Sequence, residues 1–185
     1  RVLFRSRTAL EASLAALEGG KFAFSFSSGL AAEQAVLQAL EPGAKVLVSE
    51  DVYGGTGRLF RRLFARYGFQ FEFLDLSDLA AVEAAVDANT KLIWVETPTN
   101  PLLRVIDIAA MAKIANKVGA ILAVDNTFAS PILQSPLALG AHLVVHSTTK
   151  YIGGHSDLIG GALVTSDEAL AEKLRFVQFA AGAVN

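Results

Sequence analysis

Short apolar runs alternate with segments of helical periodicity along almost the whole sequence. The runs that predict strands occupy residues 22–26, 45–49, 69–74, 92–95, 120–124, 142–145 and 159–164. Strands joined in this way by helices favour a mostly parallel sheet covered by helices on both faces, with right-handed crossovers. The sequence therefore predicts an α/β fold.

Capping and turn residues set the predicted helix boundaries. Thr8 and Glu11 have capping-box spacing, so the first helix is predicted to begin at Thr8. Residues 53–57 are predicted to form a glycine-rich turn that leads into a helix ending at Arg66, and Ser166 is predicted to cap the last helix. Further helices are predicted over residues 31–40, 77–86 and 107–118.

Composition excludes several classes of protein. The chain is 52% hydrophobic and 18% charged, which favours a covered sheet or a piece of a larger assembly. Its net charge of −2 and its lack of a basic stripe argue against nucleic acid as a partner. It contains no cysteine, which excludes disulfides and thiolate metal sites and predicts a cytoplasmic protein. No apolar stretch is long enough to predict a membrane span.

The two ends of the sequence do not resemble natural domain boundaries. Residues 1–6 join poorly to the rest of the chain and are predicted to be an artefact, with the domain spanning residues 7–185. The last residues bring no closing helix or strand. The chain is therefore expected to be an incomplete domain of a longer protein, and inactive when it is expressed alone.

Polar side chains follow the predicted strands at the points where the strands end. In a parallel sheet these ends lie along one edge, so the side chains are expected to converge on one crevice. They are Ser28, Tyr53, Asn100, Asp125, Thr127, Ser147, Thr149 and Lys150.

This set of residue types suits pyridoxal phosphate. The amine of Lys150 can bind the cofactor aldehyde as a Schiff base, and Asp125 can hold the pyridine nitrogen protonated. Backbone N–H groups of Gly29 and Leu30, at a predicted helix N-terminus, can bind the phosphate. Tyr53 can stack its ring on the pyridine.

Other sites fit less well. A nicotinamide dehydrogenase requires Gly-x-Gly-x-x-Gly after its first strand, and a P-loop requires Gly-Lys-Ser/Thr; neither is present. His142 and His146 have no accompanying third ligand, so they are interpreted as polar partners in the fold rather than as metal ligands. The alternative from a different class is a non-catalytic α/β binding module, which would leave Lys150 unmodified by pyridoxal phosphate.

The sequence resembles the Cys/Met-metabolism group of pyridoxal-phosphate enzymes, which includes cystathionine γ-synthase and the cystathionine lyases. The resemblance rests on short motifs that occur in the same order as in the family and extend over nearly all of residues 7–185. The matching stretches are residues 28–31, 51–56, 96–101, 124–128, 136–141, 147–151 and 154–157. The resemblance implies that the chain is the large cofactor domain of a fold-type I, aminotransferase-like enzyme.

The resemblance also implies roles for individual residues around the cofactor ring. Lys150 would be the Schiff-base lysine and a proton shuttle, and Asp125 would pair with the pyridinium nitrogen. Tyr53 would stack on the ring and assist proton transfer. Asn100 would contact the ring hydroxyl and the substrate carboxylate, and Thr127 would pack on the other ring face.

Gly29, Leu30, Ser147 and Thr149 would hold the cofactor phosphate by the same resemblance. Two parts of the family pattern are expected to lie outside this sequence. One is the Tyr-Ser-Arg segment that reaches the phosphate of the neighbouring subunit, and the other is the C-terminal domain with the arginine that binds the substrate carboxylate. The resemblance implies a homodimer or homotetramer.

The implied activity is γ-replacement or γ-elimination on sulfur amino acids in transsulfuration, as in cystathionine γ-synthase or cystathionine γ-lyase. Cystathionine β-lyase and methionine γ-lyase are the alternatives within the family. Residues 154–157, Gly-His-Ser-Asp, resemble the cystathionine enzymes, and Gly55 stands where methionine γ-lyases typically have cysteine. The sequence leaves the choice between synthase and lyase activity open.

Overall fold

The computed structural model describes residues 2–184 as an α/β domain built on one seven-stranded sheet. The sheet has the order β1-β7-β6-β5-β4-β2-β3. The strands are β1 (Phe22–Phe26), β2 (Lys45–Ser49), β3 (Gln70–Leu74), β4 (Thr90–Glu96), β5 (Ile121–Asp125), β6 (Leu143–His146) and β7 (Gly161–Thr165). β7 pairs antiparallel with β1 and with β6, and the other described pairs are parallel.

Helices precede or connect most of these strands. They are α1 (Val2–Glu18), α2 (Gly29–Gln38), α3 (Gly54–Arg58), α4 (Leu79–Ala85), α5 (Ile108–Val118), α6 (Ser130–Leu133) and α7 (Glu168–Ala181). A π-helical turn (Leu59–Leu63) and a 3₁₀ turn (Phe64–Tyr67) continue α3, and a second 3₁₀ turn spans Pro136–Leu139. Over the described part of the chain, none of the helices combines the length and the apolarity that a membrane span requires.

The sheet is covered on both faces, as predicted, because its central strands are apolar on both sides. In β4, Leu92 and Trp94 belong to a core with α2 and α7, whereas Ile93 and Val95 belong to a core with α4 and α5. All four side chains are fully buried. Burial on both faces is the mark of central parallel strands.

Three helix boundaries predicted from capping or turn residues are wrong, and α2 and α4 differ from the predicted 31–40 and 77–86 by one or two residues at their ends. α1 runs through Thr8 because Glu11 is engaged elsewhere: its Oε1 accepts hydrogen bonds from Ser25 N at 2.8 Å and Gln178 Nε2 at 3.0 Å. Asp167, not Ser166, caps α7, since its Oδ1 accepts a hydrogen bond from Leu170 N. The first error arises because Glu11 makes tertiary hydrogen bonds, and the second because Asp167, next to Ser166, is the capping residue.

The third wrong boundary is the glycine-rich segment after Tyr53. Its glycines already lie in the helix α3, with Tyr53 as the N-cap residue. Gly55 matters for its small size: an added Cβ would lie 2.3 Å from Cε1 of Tyr53. The glycine therefore lets the tyrosine ring fold back over the start of the helix.

Candidate active site

A cleft of about 390 Å³ opens at the carboxyl ends of the parallel strands. Residues after β4, β5 and β6 line it, and the N-terminus of α2 forms one wall. Every residue predicted for the site lines this cleft, namely Gly29, Leu30, Tyr53, Asn100, Asp125, Thr127, Ser147, Thr149 and Lys150. The convergence predicted from the strand-end rule is confirmed, whereas the role of each residue stays a prediction.

The wall at α2 is built to approach a ligand closely. Ser28 caps the helix, and its Oγ accepts a hydrogen bond from Ala31 N at 3.1 Å. A Cβ on Gly29 would lie 2.9 Å from Cβ of Ser147, so no larger residue fits there without displacement. The free N–H groups of the first helical turn and the helix dipole favour an anion at this wall.

The loop after β6 places a lysine and two hydroxyls at the mouth of the cleft. Lys150 is exposed, and its Nζ forms no hydrogen bond or ion pair with any side chain or backbone group in residues 2–184. The Thr149 hydroxyl bridges to Gly160, donating to its carbonyl at 3.2 Å and accepting from its N–H at 3.1 Å. The loop is therefore tied to β7 while its amine faces the cleft unpaired.

Asp125 ends β5 and is buried at the base of the cleft. Thr127 donates twice to its Oδ1, from the backbone N at 2.9 Å and from Oγ1 at 2.5 Å. Burial raises the pKa of Asp125, while the Thr127 hydrogen bonds and the charge of His146 oppose that rise. A cation placed beside this carboxylate would favour its ionised form.

Two further carboxyl groups line the cleft and were not predicted to belong to it. Glu96 accepts a hydrogen bond from Tyr53 N at 2.8 Å, and Glu33 accepts one from the Thr56 hydroxyl at 2.9 Å. Burial and the charge of Asp125 raise the pKa of Glu96 to about 8 and hold the pKa of Glu33 well above its ordinary value.

Signals for both carboxyl groups are visible in the sequence in hindsight. Glu96 directly follows a buried apolar run, like Asp125. Glu33 stands among the buried positions of α2, where a helix core face ordinarily has an apolar residue. A charged residue on that face marks a buried site. Phe128 and Ile159 complete the lining and carried no such signal.

The histidines that were interpreted as polar partners have that role. His142 Nδ1 accepts a hydrogen bond from Leu122 N at 2.9 Å, and His146 contacts Glu18. Within residues 2–184, no group of three or more His, Cys, Asp or Glu side chains is arranged to share a metal ion.

Because the raised pKa of Glu96 makes the folded protein bind a proton that the unfolded chain has lost, stability should fall as pH rises from about 4.5 to about 8. Glu96→Gln keeps an acceptor for Tyr53 N and removes the titration. We expect the Gln variant, measured without added ligand, to gain stability over the natural protein as pH increases through this interval. Urea unfolding at pH 5 and pH 8 checks the difference. A constant difference between the two proteins would contradict the assignment.

Comparisons with known proteins identify the family of this chain. The model of the family described as Cys/Met metabolism PLP-dependent enzyme matches residues 1–185. The cystathionine gamma-synthase of Mycobacterium tuberculosis is 58% identical over 97% of this chain and 46% of its own length. The cystathionine beta-lyase of Coxiella burnetii is 48% identical over 97% of this chain and 47% of its own length.

Solved structures show the same fold. A crystal structure of cystathionine gamma-lyase from Lactobacillus plantarum, complexed with L-serine, superposes with a TM-score of 0.95 at 49% identity. The match covers 96% of this chain and 47% of that one. The chain thus spans about half the length of the relatives it matches. On the family match and these identities, the chain belongs to the Cys/Met metabolism family of pyridoxal-phosphate-dependent enzymes.

Proposed function

We propose that this chain is the cofactor-binding part of a transsulfuration enzyme of the cystathionine γ-synthase or γ-lyase type, which performs γ-replacement or γ-elimination on sulfur amino acids. The observation that carries the proposal is the single cleft in which an unpaired lysine amine, a buried aspartate and a helix N-terminus meet. Residues 7–185 would form this domain, and residues 1–6 would be extraneous to it.

The residues present fit pyridoxal phosphate. The close approach at Gly29, where a side chain would meet Ser147, gives backbone N–H groups access to a phosphate. Asp125 is a carboxylate suited to a protonated ring nitrogen, and Lys150 offers an amine for the aldehyde. Tyr53, 47% exposed, can cover one face of a ring in the cleft.

Each residue predicted for the site would then have a role. Bound pyridoxal phosphate supplies an electron sink for the carbanion that the substrate must form. The Lys150 amine would hold the cofactor covalently and then move the proton from the substrate Cα. Asp125 would keep a proton on the ring nitrogen, and the Tyr53 hydroxyl would assist proton transfer. Asn100 would bind the ring hydroxyl and the substrate carboxylate, and Thr127 would pack on the second ring face.

Leu30, Ser147 and Thr149 would complete the phosphate site with Gly29. Replacing Gly29 with alanine should weaken cofactor binding at least tenfold, because the new Cβ pushes Ser147 away from the phosphate. Gly54→Ala is the matched control, since a Cβ there meets nothing within 4 Å. Fluorescence titration with pyridoxal phosphate measures both. Equal affinities would contradict the phosphate assignment.

The type of reaction is tested by product analysis on the purified full-length protein with pyridoxal phosphate. Synthase activity would convert O-succinylhomoserine and cysteine into cystathionine and succinate. γ-Lyase activity would convert cystathionine alone into cysteine, 2-oxobutyrate and ammonia. Homocysteine and pyruvate would instead indicate a β-lyase, and cleavage of methionine would indicate a methionine γ-lyase. No turnover, together with no cofactor bound at Lys150, would favour the non-catalytic binding module.

We further propose a homodimer or homotetramer in the cytoplasm. Large apolar side chains stand exposed on α6 and α7, with Ile132 and Leu133 84% and 81% exposed and Phe179 86% exposed. Exposed apolar groups of this size suit an interface between subunits or domains. The absence of cysteine from these 185 residues supports a reducing compartment.

A further inference from the structure

We infer that Glu18 and His146 form a buried ion pair that keeps Asp125 ionised, so that Asp125 can hold a proton on the ring nitrogen of a cofactor in the cleft. Glu18 lies outside the cleft and would act as a positioning residue through His146. The inference rests on the proposed function and names the residues that set the charge of its central carboxylate.

The pair lies beneath the cleft, where α1 ends against β6. Oε1 of Glu18 and Nε2 of His146 are 2.5 Å apart, and both side chains are 1% exposed. Among the charged side chains in residues 2–184, only His146 pairs with Glu18. An unpaired carboxylate at this depth would be costly, so the imidazole is expected to carry the compensating positive charge.

Hydrogen bonds connect this pair to the strand that carries Asp125. The same Glu18 oxygen accepts a hydrogen bond from Asn126 Nδ2 at 2.8 Å, and Asn126 follows Asp125 in the chain. The backbone N of Asn126 donates to Val145 O at 3.0 Å, and Asp125 pairs with Val145 in the sheet. Glu18 therefore ties together the ends of β5 and β6, and sets His146 beside the end of β5.

Charge explains why Asp125 needs this support. Three carboxyl groups, Glu33, Glu96 and Asp125, are buried around one cleft, and the charge of Asp125 raises the pKa values of the other two. Asp51 adds a further negative charge near Glu96. Ionisation of any one of the three makes ionisation of the others less favourable, and the chemistry of the ring nitrogen requires that Asp125 be the ionised one.

His146 and Thr127 together favour ionisation of Asp125 over that of Glu33 and Glu96. The charge of His146 lowers the pKa of Asp125, whereas the groups that lower the pKa of Glu33 and Glu96 are a neutral hydroxyl and a backbone N–H. Nδ1 of His146 is buried and finds no hydrogen-bond partner in the described part of the chain. Its effect on Asp125 is therefore electrostatic, exerted through space.

The first test reads the charge of His146 directly and needs no bound cofactor. In the full-length protein labelled with ¹⁵N-histidine, the His146 signals should show both ring nitrogens protonated at pH 7. The spectrum of His146→Gln, from which these signals should be missing, assigns them. Signals of a neutral imidazole for His146 would overturn the ion pair, whatever the outcome for the cofactor.

The second test follows the ring nitrogen of ¹⁵N-labelled pyridoxal phosphate bound to the protein as pH is raised. His146→Gln and Glu18→Gln should both shift the proton from the ring nitrogen toward Asp125, by about tenfold in the ratio of the two forms. The first variant removes the positive charge near Asp125, and the second removes the partner that keeps the imidazole protonated. His142→Asn, at the position just before the same strand, should titrate like the natural protein. Circular dichroism establishes that each variant is folded.

Coincident titrations of Glu18→Gln, His146→Gln and the natural protein would overturn the inference. A merely structural role for the pair would reduce stability without moving this titration. Failure of the natural protein to bind pyridoxal phosphate would refute the proposed function instead, and the histidine spectrum would still decide whether the pair is charged.

Discussion

Replacing Lys150 with alanine is expected to abolish both turnover and the visible absorption band of the bound cofactor. The Lys150 amine is the one group in the cleft that can hold the aldehyde covalently and then carry the substrate proton, so the loss should reach several orders of magnitude. Spectra and product formation on the purified full-length protein with added pyridoxal phosphate measure both effects.

Lys113→Ala, on the exposed side of α5, is the matched control and should keep the band and the activity. The assignment of Lys150 fails if Lys150→Ala still forms the band on titration with pyridoxal phosphate. Retained turnover in that variant would also contradict it, since no second lysine lines the described cleft.

Asp125→Asn is expected to lower turnover on the order of 10²–10³-fold while the cofactor stays bound. The amide preserves the shape of the side chain and can still accept from Thr127, but it removes the negative charge that favours a protonated ring nitrogen. Steady-state kinetics, with cofactor content measured on the same sample, separate the two effects.

The control for this variant is Asp107→Asn, which replaces the N-cap of α5 by an equally good capping residue. It should leave turnover and stability nearly unchanged. Near-normal turnover in Asp125→Asn would remove the electron-sink role from Asp125, and with it the reason for a charged His146.

The strands could be predicted closely because each is a short apolar run bounded by turn residues. The boundaries of β1 and β2 agree with the prediction. The rule that strand ends converge correctly predicted that Asp125 and Lys150 line one cleft. The wrong helix boundaries have another cause. Glu11 bonds to Ser25 and Gln178, which are far away in the sequence, so its capping-box spacing was misleading.

The buried charges around the site could not be predicted for the same reason. Glu18 and His146 are 128 residues apart in the sequence, and nothing local to either residue indicates their contact. Glu33 stands out as a charged residue on the core face of α2, but only the structure shows that it lines the cleft. Sequence patterns identified the groups that a cofactor would contact, and the fold was needed to find the groups that set their charge.

The central claim is that the cleft holds pyridoxal phosphate on Lys150. Borohydride reduction of the protein loaded with pyridoxal phosphate, followed by proteolysis and mass spectrometry, tests it most directly. We expect one principal modified peptide, with the phosphopyridoxyl group on Lys150 and none on Lys113. A label on another lysine, or no label in a protein that is folded, would contradict it.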